Sequence, residues 1–200
     1  GKSPLYVAVD GELAGIIAVA DPIKSTTPAA IKALHQLGLK VAMVTGDNVR
    51  TAQAIAKQLG IDEVIAEVLP EGKVSAVKEL KAKYGHIAFV GDGINDAPVL
   101  ALSDVGMAMG GLGSDAAIET ADVVIQTDQP SKIATAIKIG KETKKIVYQN
   151  IFLAFGVKLI VLILGAGGLA NMWEAVFADV GVALLAILNA VRIQNMKFSN

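Results

Sequence analysis

The sequence predicts an α/β domain built on a doubly wound parallel sheet, followed by a two-helix transmembrane hairpin. Three observations carry this. Short β-rich apolar runs alternate with helical patterns between about residues 26 and 130, as in parallel βαβ units with helices on both faces. Acidic and hydroxyl residues stand at the ends of two of these runs, in VTGD and GDGINDAP. Between Ile146 and Ile193 the chain is mostly apolar, with Lys158, Glu174, Asp179 and Arg192 as its only charges.

Residues 1–20, GKSPLYVAVDGELAGIIAVA, alternate like two strands around an Asp10-Gly11 turn. An isolated hairpin is marginal in water, so this one reads as the end of a sheet whose remainder lies upstream. Asp21-Pro22 breaks the pattern. A helix is expected from Thr26 to Leu37, with Gly38 as its stop. LKVAMVTGD is a strand entering a loop, and NVRTAQAIAKQLG a helix ending at Gly60. After EVIAEV, PEGKVSAVKELKAKYG is a helix with Pro70 near its start. A strand in HIAFVGDG, a short helix in NDAPVLALS, a strand in VGMAMG, a helix in SDAAIETA and a strand in DVVIQ complete the alternation. The last helix, from Ser131, is expected to run with little interruption into the first apolar span, as a rigid link.

With 53% hydrophobic residues and a formal charge of −1, the chain lacks the basic excess of a nucleic-acid binder. It holds no cysteine, hence no disulfide framework and no thiolate site within these residues. Two spans, roughly 146–165 and 172–192, flank GAGGLAN, and each meets the length of about 20 residues that crosses a bilayer. A buried hairpin of a soluble core is the other reading, but two adjacent runs of this length are rare there. Lys138, Lys141, Lys144 and Lys145 precede the first span, and Arg192 and Lys197 follow the second. The positive-inside rule then places both ends in the cytoplasm and the Gly-rich turn outside.

In open α/β sheets ligands bind beyond the carboxyl ends of the strands, where Thr45-Gly46-Asp47 and Asp92-Gly93 fall. Thr45 offers a hydroxyl, Gly46 a close backbone approach, and the following helix start free N–H groups for an anion. TGD alone reads equally as a turn capped by Asp47. Lys73, in the first turn of a helix against the dipole, is either a solvated lysine or a point charge over a phosphate. GDGINDAPVL is more specific. Asp92 and Asp96 supply hard oxygen ligands suited to Mg²⁺, Gly91 and Gly93 keep the loop tight, and Asn95 offers a donor to a phosphoryl oxygen. Together these make a phosphoryl-transfer site whose catalysis is positioning and electrostatics.

VTGD, the downstream PEGK, GDGINDAPVL and the two trailing apolar helices resemble the C-terminal part of a P-type ATPase over essentially the whole chain. The resemblance implies a haloacid-dehalogenase-like (Rossmann-like) phosphorylation domain over residues 21–145 and two transmembrane helices over 146–193. It further implies a cytoplasmic tail over 194–200, and makes residues 1–20 the end of a nucleotide-binding domain. It implies that Thr45 and Lys73 contact an aspartyl phosphate, with Gly46 and Asp47 in the same loop. Asp92 would ligate Mg²⁺, with Asn95 and Asp96 supporting phosphate and metal, and Asp21 in ADPIK would be the hinge aspartate beside the nucleotide site. ATP would be bound mainly by a domain outside these residues. The partners implied are the lipid bilayer and the remaining domains and helices of the parent ATPase, in a multi-pass protein of the plasma membrane with its phosphorylation domain in the cytoplasm.

The family's phosphorylated aspartate lies in DKTGT, which these 200 residues do not contain; its TGE actuator loop is also missing. The chain is therefore expected not to form the phosphoenzyme by itself. Two other readings stand beside the pump: a membrane-tethered phosphatase of the same fold, and a non-catalytic subunit that completes a partner. The phosphatase would need a nucleophile strand near the start, where only the hairpin turn DGE is present.

Lys158 lies seven residues before Gly165 and Asp179 seven after Met172. At 1.5 Å per residue both sit about 10 Å below the outer helix ends, at matching depth for a pair. The alternative is that each snorkels separately. Charges inside membrane helices are costly and mark functional sites, and a carboxylate suits a divalent cation better than Cu⁺. AFGVKLIVLILG and MWEAVFADVGVALLAILNAVRI resemble the zinc/cadmium/lead-exporting branch of the heavy-metal ATPases. In that branch a lysine and an aspartate occupy these two helices, and the shared depth leads to the expectation that Asp179 binds the transported Zn²⁺ or Cd²⁺ while Lys158 serves as internal counter-ion. Met172, at the turn, is not counted as a ligand; Glu174 is expected at the outer mouth. His35 and His86 are read as structural.

Overall fold

The computed structural model describes residues 3–19, 22–91, 93–110, 115–127 and 129–198. The chain divides into two units, Gly1–Ala134 and Thr135–Asn200. The first opens with the antiparallel hairpin of β1 (Ser3–Val9) and β2 (Glu12–Val19). Asp10 and Gly11 both have positive φ, 53° and 87°, the turn geometry whose twist matches a two-residue hairpin loop. Leu5 lies opposite Ile17 and Tyr6 opposite Ile16. Since successive residues point to opposite faces, each face carries one of these pairs, and all four side chains are exposed.

The expected alternation follows: α1 (Thr27–Gln36), β3 (Ala42–Val44), α2 (Val49–Leu59), β4 (Glu63–Ile65), α3 (Gly72–Tyr84), β5 (Ala88–Gly91), α4 (Ala97–Leu102), β6 (Val105–Met109), α5 (Asp115–Thr120) and β7 (Val123–Ile125). Local chemistry sets the boundaries. The Asn48 side chain accepts the Thr51 N–H and caps α2, and Gly60 ends it in the left-handed conformation that glycine adopts without a steric penalty. Every pairing after the hairpin is parallel, as expected. The strands nevertheless form two ladders, β3-β4 and β5-β6-β7. Among the described residues, β3 and β5 each pair along one edge.

The core of this unit gathers Leu100, Ala108 and Ala117, with Phe89 and Ala121 packed on them. Gly106 lets α4 lie directly on β6, because a Cβ there would stand 2.7 Å from the Leu100 carbonyl oxygen. Each parallel pairing is also clipped at its start by an aspartate. Asp62 accepts the Val41 N–H at 2.8 Å, Asp104 the Ile87 N–H at 2.9 Å, and Asp122 the Gly106 N–H at 2.8 Å. Each of these aspartates returns its own N–H to the carbonyl of the same partner residue. A parallel ladder leaves its first strand-end groups unpaired, and buried or half-buried backbone donors need partners; the clips supply them.

Helix α6 (Ser131–Ala166) runs 36 residues without a break, so the expected continuity is present. The second unit also holds α7 (Met172–Val191), followed by a 3-10 turn at Arg192–Asn195. Asn171 caps α7 by accepting the Trp173 and Glu174 N–H groups, while Glu174 accepts the Asn171 N–H. This reciprocal box assigns Glu174 a helix-capping contact at the turn. Both helices are long and apolar enough to cross a membrane. They expose their large side chains, among them Phe152, Phe155, Leu162, Phe177 and Leu188.

Candidate functional sites

The first site gathers at the strand ends of the α/β unit. Leaving β3, the Thr45 hydroxyl donates to Asp47 Oδ2 at 2.9 Å and accepts the Asp47 N–H at 3.1 Å. The loop is tied to the next one by the Glu67 N–H on the Asp47 carbonyl and the Val68 N–H on that of Thr45. Gly46 passes close beneath Val68, whose carbonyl oxygen would stand 3.4 Å from a Cβ. TGD is therefore a closed turn, and the helix cap is Asn48 rather than Asp47.

Beyond β5, a 3-10 turn at Ile94–Asp96 leads into α4. Asp96 is 6% exposed, and it is the buried charged residue among those described. Lys73 reaches it from the first turn of α3, with Nζ donating to Asp96 Oδ1 at 2.7 Å. The lysine side chain is 23% exposed, so it is a held charge and not a solvated one. Asp96 Oδ2 accepts only a long hydrogen bond from the Gly93 N–H, at 3.4 Å. Gly91 creates the room: a Cβ there would lie 2.8 Å from both the Cβ and Oδ2 of Asp96 and 2.9 Å from the Phe89 ring. Asn95 is exposed on the same turn. Asp92 and Asp21 lie outside the described residues.

The donor chemistry fits Mg²⁺. A buried carboxylate with one lightly used oxygen, in a tight loop that two glycines permit, is a hard oxygen donor of the kind this cation takes. Asp96 Oδ1 is already committed to Lys73, so Oδ2 is the atom available to a metal. The described residues hold no cluster of three or more acidic, His or Cys side chains poised for a metal.

The second site lies between α6 and α7, where Lys158 Nζ stands 3.4 Å from Asp179 Oδ1. The structure thus brings together the two charges that the spacing placed at equal depth. Both side chains are about two-thirds exposed, 64% and 66%, and they line an open cleft of about 480 Å³ whose other walls include Val157, Val161, Val176 and Met172. Of the histidines, His35 is tied to Asp62 at 2.9 Å, as a structural role requires. The His86 side chain is 95% exposed, 3.7 Å from Asp104.

The Asn150 and Asn189 amides also join the two helices, a contact that sequence reasoning missed. Two asparagines inside apolar helical runs were the available signal, since a polar side chain there needs a partner.

The family model of the haloacid dehalogenase-like hydrolases matches residues 1–104. The chain belongs to that family, which accounts for its parallel α/β architecture. The chain also resembles proteins named as metal-transporting ATPases. It is 58% identical over 197 residues to the cadmium, zinc and cobalt-transporting ATPase of Bacillus subtilis, covering 96% of this chain and 28% of that protein. It is 52% identical over 203 residues to copper-transporting ATPase 1 of Rhizobium meliloti, covering 98% of this chain and 24% of that one. A crystal structure of a zinc-transporting PIB-type ATPase in the E2.Pi state superposes with a TM-score of 0.87 at 39% identity, over 96% of this chain and 32% of that one. The chain thus spans about a quarter to a third of each of these three proteins.

Proposed function

We propose that the whole protein is an ATP-driven pump that exports a divalent heavy-metal cation, Zn²⁺, Cd²⁺ or Pb²⁺, through an aspartyl-phosphate intermediate. In this reading residues 21–145 are its phosphorylation domain, 146–193 two of its membrane helices and 194–200 a cytoplasmic tail. Residues 1–20 end its nucleotide-binding domain. Apolar side chains on both faces of the β1-β2 hairpin support that assignment, since both faces require cover. The unpaired edges of β3 and β5 likewise suit a further strand carrying the nucleophile, which these 200 residues lack.

At the strand ends, Lys73 presents its charge to the phosphoryl oxygens, and Asp96 holds that lysine in place. Thr45, released from Asp47, donates to a phosphoryl oxygen across Gly46, and Asn95 donates from the other side. Asp92 and Oδ2 of Asp96 would hold Mg²⁺, which supplies charge neutralisation at the transferred group. Asp21 serves as the hinge towards ATP. The protein spans the plasma membrane several times, with the phosphorylation domain in the cytoplasm.

The observation that carries the transport reading is the Lys158–Asp179 pair, 3.4 Å apart in a mostly apolar hairpin. A carboxylate binds a divalent cation, and a neighbouring ammonium must give way when the cation arrives. After release the ammonium re-pairs and opposes rebinding. Copper-transporting relatives at similar identity leave the choice of cation to these two side chains. In the whole protein, Asp179→Ala should abolish zinc-stimulated ATP hydrolysis, while Lys158→Ala keeps binding and slows turnover. Wild-type zinc stimulation in Asp179→Ala would overturn the reading.

A further inference from the structure

One end of the α6–α7 seam is closed by amides rather than charges. Asn150 Nδ2 donates to the Ala186 carbonyl at 3.0 Å. Asn189 Nδ2 donates to Asn150 Oδ1 at 2.9 Å and to Gln149 Oε1 at 3.2 Å. Arg192 then donates to Asn189 Oδ1 at 2.7 Å. A primary amide has two N–H donors and one oxygen. In Asn189 both donors are spent on α6 and the oxygen on Arg192, so the orientation of the group is fully specified.

We infer that Asn150, Asn189 and Arg192 are positioning residues that set the register of α7 on α6 and thereby keep Asp179 opposite Lys158. The inference rests on the proposed cation site at Asp179. Asn150 precedes Lys158 by eight residues and Asn189 follows Asp179 by ten, about 12 and 15 Å along the antiparallel helices. Clasp and ion pair therefore belong to one seam. The residues between them on that seam, such as Val157 and Val182, make apolar contacts that fix no direction, and lipid supplies no hydrophobic drive to hold two helices together. A slip of one turn would move Asp179 by about 5.4 Å and break the pair.

The consequence lies in the transport cycle. When a cation takes the carboxylate, Lys158 lets go and the ion pair no longer holds the register. The amide clasp makes no use of that charge and persists, so the site keeps its shape while loaded. Arg192 contributes by occupying the Asn189 oxygen, which turns both N–H groups towards α6.

The test uses the full-length protein in vesicles, with Asn189→Leu and Asn150→Leu. The readouts are the zinc concentration for half-maximal ATP hydrolysis and phosphorylation by inorganic phosphate without metal. The expected result is a rise in half-saturating zinc of about tenfold or more, the scale of losses from residues that orient metal ligands. Phosphorylation by phosphate should be unchanged, and Arg192→Lys should restore most of what Arg192→Leu loses. Unchanged half-saturation in both asparagine variants, with stimulation lost in Asp179→Ala, overturns the clasp while leaving the cation site standing. A parallel fall in phosphorylation and in zinc-stimulated rate, at constant half-saturation, marks a general stabilising role and also overturns it. Wild-type stimulation in Asp179→Ala removes the cation site and the inference with it. If Asn189→Leu does not accumulate, Asn150→Leu and Gln149→Leu carry the same comparison.

Discussion

Asp96 is the residue on which the loop after β5 turns. Its burial would be costly for a lone carboxylate, and Lys73 at 2.7 Å offsets that cost. The pair is held in place by the missing side chain of Gly91 as much as by its own attraction. Gly91→Ala would push a methyl group to 2.8 Å from the Asp96 carboxylate and 2.9 Å from Phe89, and neither neighbour is free to withdraw. Overpacking of this sort costs about 1–3 kcal/mol. The expected outcome is a lowered thermal midpoint together with a larger loss of phosphorylation, because the displaced group belongs to the site. A variant with wild-type phosphorylation would show that Asp96 need not sit where it does.

At the scale of elements, the three aspartate clips do the same task at three strand starts. They show where the sequence was readable and where it was not. Alternation and the glycine stops at Gly38 and Gly60 are local signals, and the elements they delimit are present, whereas the cap of α2 falls on Asn48 and not on Asp47. Asp62, Asp104 and Asp122 look like ordinary loop residues, since their partners Val41, Ile87 and Gly106 lie 16 to 21 residues away. Only the folded register reveals them. The division into two ladders was hidden for a similar reason, because strand periodicity does not report which edges meet. Lys73 and Asp96, 23 residues apart, each stood out in the sequence but not as a pair.

The clip at Asp104 has a pH signature. The Ile87 N–H and then the Lys81 ammonium stabilise its charged form and lower its pKa from the ordinary 3.8 to about 2. A folded-state value below the unfolded one contributes stability that is fully present above about pH 4 and is lost as pH falls through 2. Asp104→Asn should therefore flatten the dependence of stability on pH between 4 and 2, read as the denaturation midpoint along a pH series. An unchanged slope would mean that the clip is not formed in solution.

Across the whole molecule, the apolar hairpin and the charges that flank it make one statement about orientation. Lys158 and Asp179 were legible as a pair because helical rise converts sequence position into depth. Asn150 and Asn189 lie on the same helices and carry the same kind of signal, but without charge they drew no attention. In the proposed pump, four lysines before the first span, and Arg192 and Lys197 after the second, would place both of its ends in the cytoplasm. The turn around Gly168, with φ at +71°, would then face outward. These residues contain no cysteine, so single cysteines report position cleanly once any others in the whole protein are replaced. Leu169→Cys, at a side chain 77% exposed, should react with a membrane-impermeant maleimide on intact cells. Lys197→Cys should react only after permeabilisation. The reverse pattern would invert the pump and set its phosphorylation domain on the side without ATP, while labelling of both positions on intact cells would mean that the hairpin does not span the membrane.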